Sequence, residues 1–171
     1  MAKKLFVPER FANKHGDGIV CKKGKQLSLY DMFGKSNNEL STPDAAGAVI
    51  IAAILDQKHT LAEYYNQLNY NKAMSVIMRL AEQVNGYIHE AEPWALVKTD
   101  PVAAQAVCTT AIHAWRYLAI YLQPVLPELT GKIKDILAVD TLTWVDLEAP
   151  LTAGHRIQDY YHIIKRIEIK A

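Results

Sequence analysis

Histidines, cysteines, carboxylates and one tryptophan set beside a proline are the residues of this chain whose chemistry reaches beyond packing. Histidine relays protons or holds a metal, a thiolate attacks or ligates, and an indole stacks on a flat partner. His15, His59, His89, His113, His155 and His162 are scattered, with no H-E-x-x-H among them, and Cys21 and Cys108 make no C-x-x-C pair. His89 precedes Glu90 and Glu92, but adjacent positions on a helix point apart. Asp135 and Asp140 flank an apolar segment, and Glu82, Glu90 and Glu92 gather near a helix end. No two carboxylates fall on one apolar face, the environment that would drive their pKa values apart. There is no G-x-G-x-x-G, no GKS or GKT and no G-x-S-x-G. The expectation is a chain with no catalytic residue, no metal site and no cofactor of its own.

The stretch EAEPWALVKTDP (Glu90–Pro101) is of another kind. Trp94 stands just after Pro93, where a helix stops. Two readings compete. The indole plugs the end of a helical bundle, as large apolar rings usually do. Alternatively it is partly exposed, mounted stiffly by Pro93, and offers a platform to an unstacked base of single-stranded RNA. Lys98 is then placed to meet a phosphate. Trp115, within a helical stripe, reads as core, and Trp144 as the cover of a loop.

The elements that must position these residues are helical. STPD (Ser41–Asp44) supplies a cap at Thr42, a proline in the first turn and an acid near the positive helix end. The helix it opens is expected from Pro43 to about Leu68. Its early part is apolar all round and so is expected at the centre of a bundle, with Gly47 admitting a close neighbour. A stripe of Ala73, Val76, Ile77, Leu80, Ala81, Val84, Tyr87 and Ile88 predicts a second helix from about Asn71 to Glu92. Asp100-Pro101 starts a third that Pro124 ends. A shorter one runs from Leu126 to Leu137, then a loop, then a last helix over Ile157–Ile167. The first forty residues are irregular, with two short extended pieces around Lys-Lys-Gly-Lys. The expected fold class is therefore all-α, a helical bundle. Residues 1–40 are expected as an irregular N-terminal segment, read as a cut edge of the domain, and 41–171 as the helical domain.

Composition agrees. The chain has 171 residues, 50 % hydrophobic and 22 % charged, with a net charge of +1. That excludes a globally basic nucleic-acid binder while leaving room for a local patch. Residues 1–35 hold eight lysines and arginines against three acids, and residues 36–154 hold seven against thirteen. No signal peptide is visible, and the longest apolar run, Ala45–Leu55, is too short to span a membrane. The reading is a cytoplasmic protein with reduced thiols.

The order of local motifs resembles the helical anticodon-binding domain of methionyl-tRNA synthetase, a class I aminoacyl-tRNA synthetase. Tyr70-Asn71 opens a helix, and NGYIHEAEPW (Asn85–Trp94) follows the pattern N-x-Y-[IV]-x-x-x-x-P-W. YLQPVLPEL breaks a helix as L-x-P-x-x-P, LTW (Leu142–Trp144) gives L-x-W, and Gly154-His155 precedes a segment ending in Arg166-Ile167-Glu168. FANKHGDG (Phe11–Gly18) resembles the family's F-x-N-K-x-x-D-G. The resemblance implies a tRNA-binding module that reads the CAU anticodon of methionine tRNA. Methionine and ATP would be used by a catalytic domain whose HIGH-like and KMSKS-like signatures are not in this chain. Carried over residue by residue, Trp94 stacks on an anticodon base with Pro93 beside it, and Asn85 and Tyr87 shape the site. The family's N-x-x-x-R pair on the first helix falls here on Lys3 and Val7, so that part of the recognition pattern is replaced. The chain is expected to be part of a longer synthetase. The alternative is a non-catalytic helical protein-interaction or dimerisation module derived from this domain.

Overall fold

The computed structural model describes residues 38–159, Tyr161 and Ile163, and two short strands in the N-terminal segment. The strands, β1 (Ile19–Val20) and β2 (Gln26–Leu27), pair antiparallel with Ile19 opposite Leu27. They are the two extended pieces expected around the lysine-rich turn. Lys3 and Val7 lie outside the described residues.

The rest is helical: α1 (Ala45–Asp56), α2 (Lys58–Asn66), α3 (Tyr70–Ala91), α4 (Pro93–Thr99), α5 (Pro101–Leu122) and α6 (Pro127–Leu137), with a 3-10 turn at Trp144–Leu147. Three of these begin on a proline, whose missing N–H costs nothing in the first turn. Asp100 caps α5 by accepting from the Ala103 N–H at 3.0 Å.

Three expectations are corrected. The cap of α1 is Asp44, not Thr42: Pro43 biases Thr42 away from helical geometry, and the Asp44 carboxylate accepts the Gly47 N–H at 2.9 Å. The helix expected to run to Leu68 is broken at Gln57. The Ile54 carbonyl takes the Gln57 N–H at 3.2 Å and the Tyr121 hydroxyl at 3.0 Å, drawing it out of the regular ladder. α1 is also not central. Ala45, Ala46, Ala48, Val49, Ala52 and Ala53 are exposed, Val49 by 67 %.

The central element is α5, which packs on α1, α3, α4 and α6. It is buried nearly all round, including Thr109, Thr110, His113 and Arg116. Leu61, Val84, Ile120, Tyr121 and Leu137 are fully buried in the core it organises. α1 approaches it closely at Gly47, where a Cβ would lie 2.1 Å from the Thr110 hydroxyl.

The segment after the 3-10 turn departs from the expected last helix. Leu40 and Gly154–His155 exchange backbone hydrogen bonds, Glu39 bridges Arg156, and Ile157 donates to the Asn38 carbonyl. Gln158 donates to the Ile136 carbonyl at 2.8 Å. Residues 157–159 carry this pairing on past Arg156 and are not helical. Most of the remaining positions expected in that helix lie outside the described residues.

Candidate nucleic-acid interface

The junction of α3 and α4 is an elbow built on one residue. Glu92 ends α3 and caps α4 in the left-handed region, at φ 44° and ψ 56°. A side chain is disfavoured there, because its Cβ crowds the following carbonyl. Pro93, buried, fixes the next φ and opens α4. Trp94 therefore sits in the first turn of a short helix, where the sequence suggested a chain break. It is half-buried and packs one side against the core.

Around the indole the structure brings two groups. The His89 ring, from the last turn of α3, lies with its centroid 6.5 Å from that of Trp94 and its plane inclined by 31°. Lys98 is exposed and stands four residues past Trp94, hence on the same side of α4. The other charges among the described residues of the elbow are acidic, with Glu90, Glu92 and Asp100 all exposed. His89 was not singled out for this site from sequence. The clue was its place one helical turn before a proline, where an elbow folds the next helix back over it.

The other two expected residues part company. Asn85 lies one turn before His89 and is half-buried; its Oδ1 is enclosed and meets no donor among the described residues. Tyr87, two positions on, points to a different side of α3. It is buried, and its hydroxyl donates to Asp44 Oδ1 at 2.5 Å. Burial, and then this bond, push the phenol well above its ordinary pKa. Asp44 also receives Thr110 Oγ1 at 3.4 Å, so the tyrosine ties α3 to the junction of α1 and α5. Its direct contacts are architectural.

The remaining chemistry sits elsewhere. Cys108 is buried, and burial pushes its thiol up to about 12, which makes it an inert core residue. His113 and Arg116 are each 3 % exposed, and the Arg116 guanidinium lies 5.5 Å over the Tyr117 ring. Among the described residues His113 Nδ1, Arg116 Nε and Arg116 Nη1 have no hydrogen-bond partner. Burial, helped by the charges of Arg116 and His155, holds the His113 pKa below its ordinary value. Trp115 is half-buried against the core, and Trp144 packs against Tyr121 with centroids 5.3 Å apart and ring planes inclined by 55°. Thr143 and Asp146 close a capping box on the 3-10 turn; the Thr143 backbone N–H in particular holds the Asp146 carboxyl below its usual range. No group of three or more His, Cys, Asp or Glu side chains converges among the described residues. A groove of about 560 Å³, lined by Ile51, Leu55, Tyr117 and Leu147 and crossed by the Lys58–Glu148 ion pair, contains no residue of the elbow. Among the described residues no helix is long and apolar enough to cross a membrane.

Comparison with known proteins gives this arrangement a context. Residues 39–168 match the family model described as the anticodon binding domain of methionyl tRNA ligase. The methionine–tRNA ligase of Polaromonas sp. is 37 % identical over 96 % of this chain, which spans 24 % of that protein. That of Azoarcus sp. is 43 % identical over 64 % of this chain and 16 % of its own length. That of Bdellovibrio bacteriovorus is 34 % identical over 94 % of this chain and 23 % of its own. The chain thus spans a quarter or less of the curated relatives it matches. The crystal structure of apo Mycobacterium tuberculosis methionyl-tRNA synthetase superposes with a TM-score of 0.73 at 20 % identity, covering 83 % of this chain and 33 % of that one. That likeness establishes the all-α bundle as a shared fold.

Proposed function

The chain belongs to the family of anticodon-binding domains of methionyl-tRNA ligase, and from that premise we propose that it binds the anticodon loop of methionine tRNA and reads CAU. The reaction it serves is ATP-dependent ligation of methionine to that tRNA. A catalytic domain of the same synthetase, acting in the cytoplasm, would use the methionine and ATP; residues 41–171 would be the tRNA-binding unit.

The observation that carries this reading is the mounting of Trp94. Its ring is half-buried on a rigid elbow, with Pro93 anchored beneath it and Lys98 one turn away. An indole fixed in this way binds a splayed-out base at little entropic cost, because it has little freedom left to lose. Lys98 adds a sequence-blind attraction to phosphate. Asn85 and Tyr87 support the site from α3, Tyr87 by holding the helix in place. The domain makes and breaks no bond: docking the anticodon orients the whole tRNA towards the catalytic domain.

The test is a binding titration at fixed salt, using a CAU anticodon stem-loop, a loop with one anticodon base changed, and the Trp94→Ala protein. Preference for CAU is expected, with a loss on Trp94→Ala of about 1–3 kcal/mol, the usual worth of one base–aromatic stack. Helix content should not change. Equal weak binding to both loops, untouched by the substitution, would overturn the reading and leave a protein-interaction or dimerisation role.

A further inference from the structure

His89 and Trp94 come from different helices, yet their rings lie 6.5 Å apart and 31° from parallel. No flexible loop sets that spacing. The last turn of α3 carries one ring, the first turn of α4 the other, and only Glu92 and Pro93 turn the corner between them. Glu92 holds an unfavourable left-handed conformation and Pro93 has a locked φ, so the packing of the two helices determines the geometry of the pair. His89 is exposed, and a ligand seated on the indole can reach it.

Building on the anticodon reading above, we propose that His89 is a second base-contact residue. With Trp94 it forms a two-ring platform for one unpaired base of the RNA loop. The electrostatics of the elbow argue for it. Among the described residues of the elbow, exposed Glu90, Glu92 and Asp100 stand against Lys98, so these side chains offer the phosphate backbone little attraction. What these residues give a base is ring contact, which is indifferent to local net charge, and a second ring enlarges it. The two rings should act as a unit: with the indole gone the base has no seat, and His89 has nothing left to contact.

The experiment uses the intact 171-residue chain and the CAU stem-loop at fixed salt, with His89→Ala, His89→Phe, Trp94→Ala and the His89→Ala/Trp94→Ala double variant. His89→Ala is expected to weaken binding about threefold to tenfold, with an unchanged melting temperature because the side chain is exposed. His89→Phe, which keeps a ring, should stay within about twofold of the unmodified protein. The double variant should bind no more weakly than Trp94→Ala alone. Three results would overturn the platform while leaving the anticodon reading intact: His89→Ala binding like the unmodified protein, His89→Phe losing as much as His89→Ala, or the double variant losing the product of the two single losses. If the unmodified protein shows no CAU preference and Trp94→Ala changes nothing, the anticodon reading fails and the platform falls with it.

Discussion

Gly47→Ala and Gly86→Ala make the same chemical change inside a helix and should move stability in opposite directions. At Gly86, on the exposed side of α3, an added Cβ meets nothing within 4 Å among the described residues. There the helix preference of alanine acts alone and should stabilise by about 0.5–1 kcal/mol. At Gly47 the Cβ would land 2.1 Å from Thr110 Oγ1, 2.6 Å from Thr110 Cγ2 and 2.5 Å from Asp44 Oδ1. Ordinary contact requires α1 and α5 to part by about 1 Å or Thr110 to rotate. Rotation is obstructed, because Thr110 is fully buried and its hydroxyl donates to the Ala106 carbonyl at 3.0 Å. Parting the helices also disturbs Asp44, which caps α1 through the Gly47 N–H and holds the Tyr87 hydroxyl. Overpacking costs about 1–3 kcal/mol and a weakened cap about 1 kcal/mol, against a gain of about 1 kcal/mol in helix preference. The expected net loss for Gly47→Ala is about 1–3 kcal/mol. Urea unfolding followed by far-UV circular dichroism measures both variants, provided the slope stays constant. Thr110→Ala removes two of the three crowding atoms, so in that background the Gly47→Ala penalty should shrink by about 1 kcal/mol or more. A Gly47→Ala protein as stable as the original, or a penalty indifferent to Thr110, would refute the close approach of α1 to α5.

Tyr87→Phe deletes a hydrogen bond to a carboxylate that retains other donors, so a loss of about 1–2 kcal/mol in urea unfolding is expected. Affinity for the CAU stem-loop should not change; a fall in affinity beyond the stability loss would put the tyrosine in the RNA site. His113 binds its proton less readily folded than unfolded. Its contribution to stability is therefore complete above the unfolded value of about 6.5 and declines as pH falls from there towards the lower folded value. His113→Phe should flatten the melting temperature over that window, and an unchanged slope would assign the pH dependence to other groups. In a Cys21→Ser chain the sole remaining thiol, Cys108, should resist alkylation at neutral pH and react at a rate that rises with urea as the core opens. Fast reaction without denaturant would contradict its burial.

The helix boundaries that sequence revealed are those marked by proline and acid, because these residues act through local geometry. Pro101 and Pro127 open helices and Asp100 caps one; Pro93 marks the end of α3, while the short helix it opens was not expected. Gly47 was legible for the same reason: a glycine in an apolar helix has few uses other than a close approach. What escaped was decided at long range. No glycine or proline marks the break at Gln57, which follows from Tyr121 reaching across to the Ile54 carbonyl. The i, i+3 and i+4 spacing after Ile157 suits a helix, but the Asn38 and Ile136 carbonyls, more than twenty positions away in sequence, hold residues 157 and 158 against distant segments, and residues 157–159 are not helical. Relative burial of α1 and α5 was misread because apolarity and depth are different quantities. Alanines are cheap to expose, so an all-apolar α1 can lie at the side. α5 carries threonine, histidine and arginine and is still central, since its threonines bond to Asp44, Ala106 and Ser41.

The candidate site divides along the same line. Pro93 and Trp94 stand out as a pair because proline announces a corner and tryptophan is rarely placed at one without a purpose in packing or binding. His89 does not stand out, since its contact with Trp94 depends on the direction in which the corner turns. Glu92 sets that direction by adopting a left-handed conformation that sequence associates with glycine or asparagine. A residue with a Cβ persists there only if its surroundings hold it. The packed helices on either side supply that restraint: α4 against α5, with Pro93 buried between, and α3 tied to α1 through Tyr87 and Asp44. The Tyr87–Asp44 bond, on another side of α3 from His89, therefore helps to position the rings it does not touch. Recognition at the elbow, as proposed, would consequently be a property of the whole bundle: substitutions at Tyr87 or Gly47 test the frame, whereas those at His89 and Trp94 test the surface mounted on it.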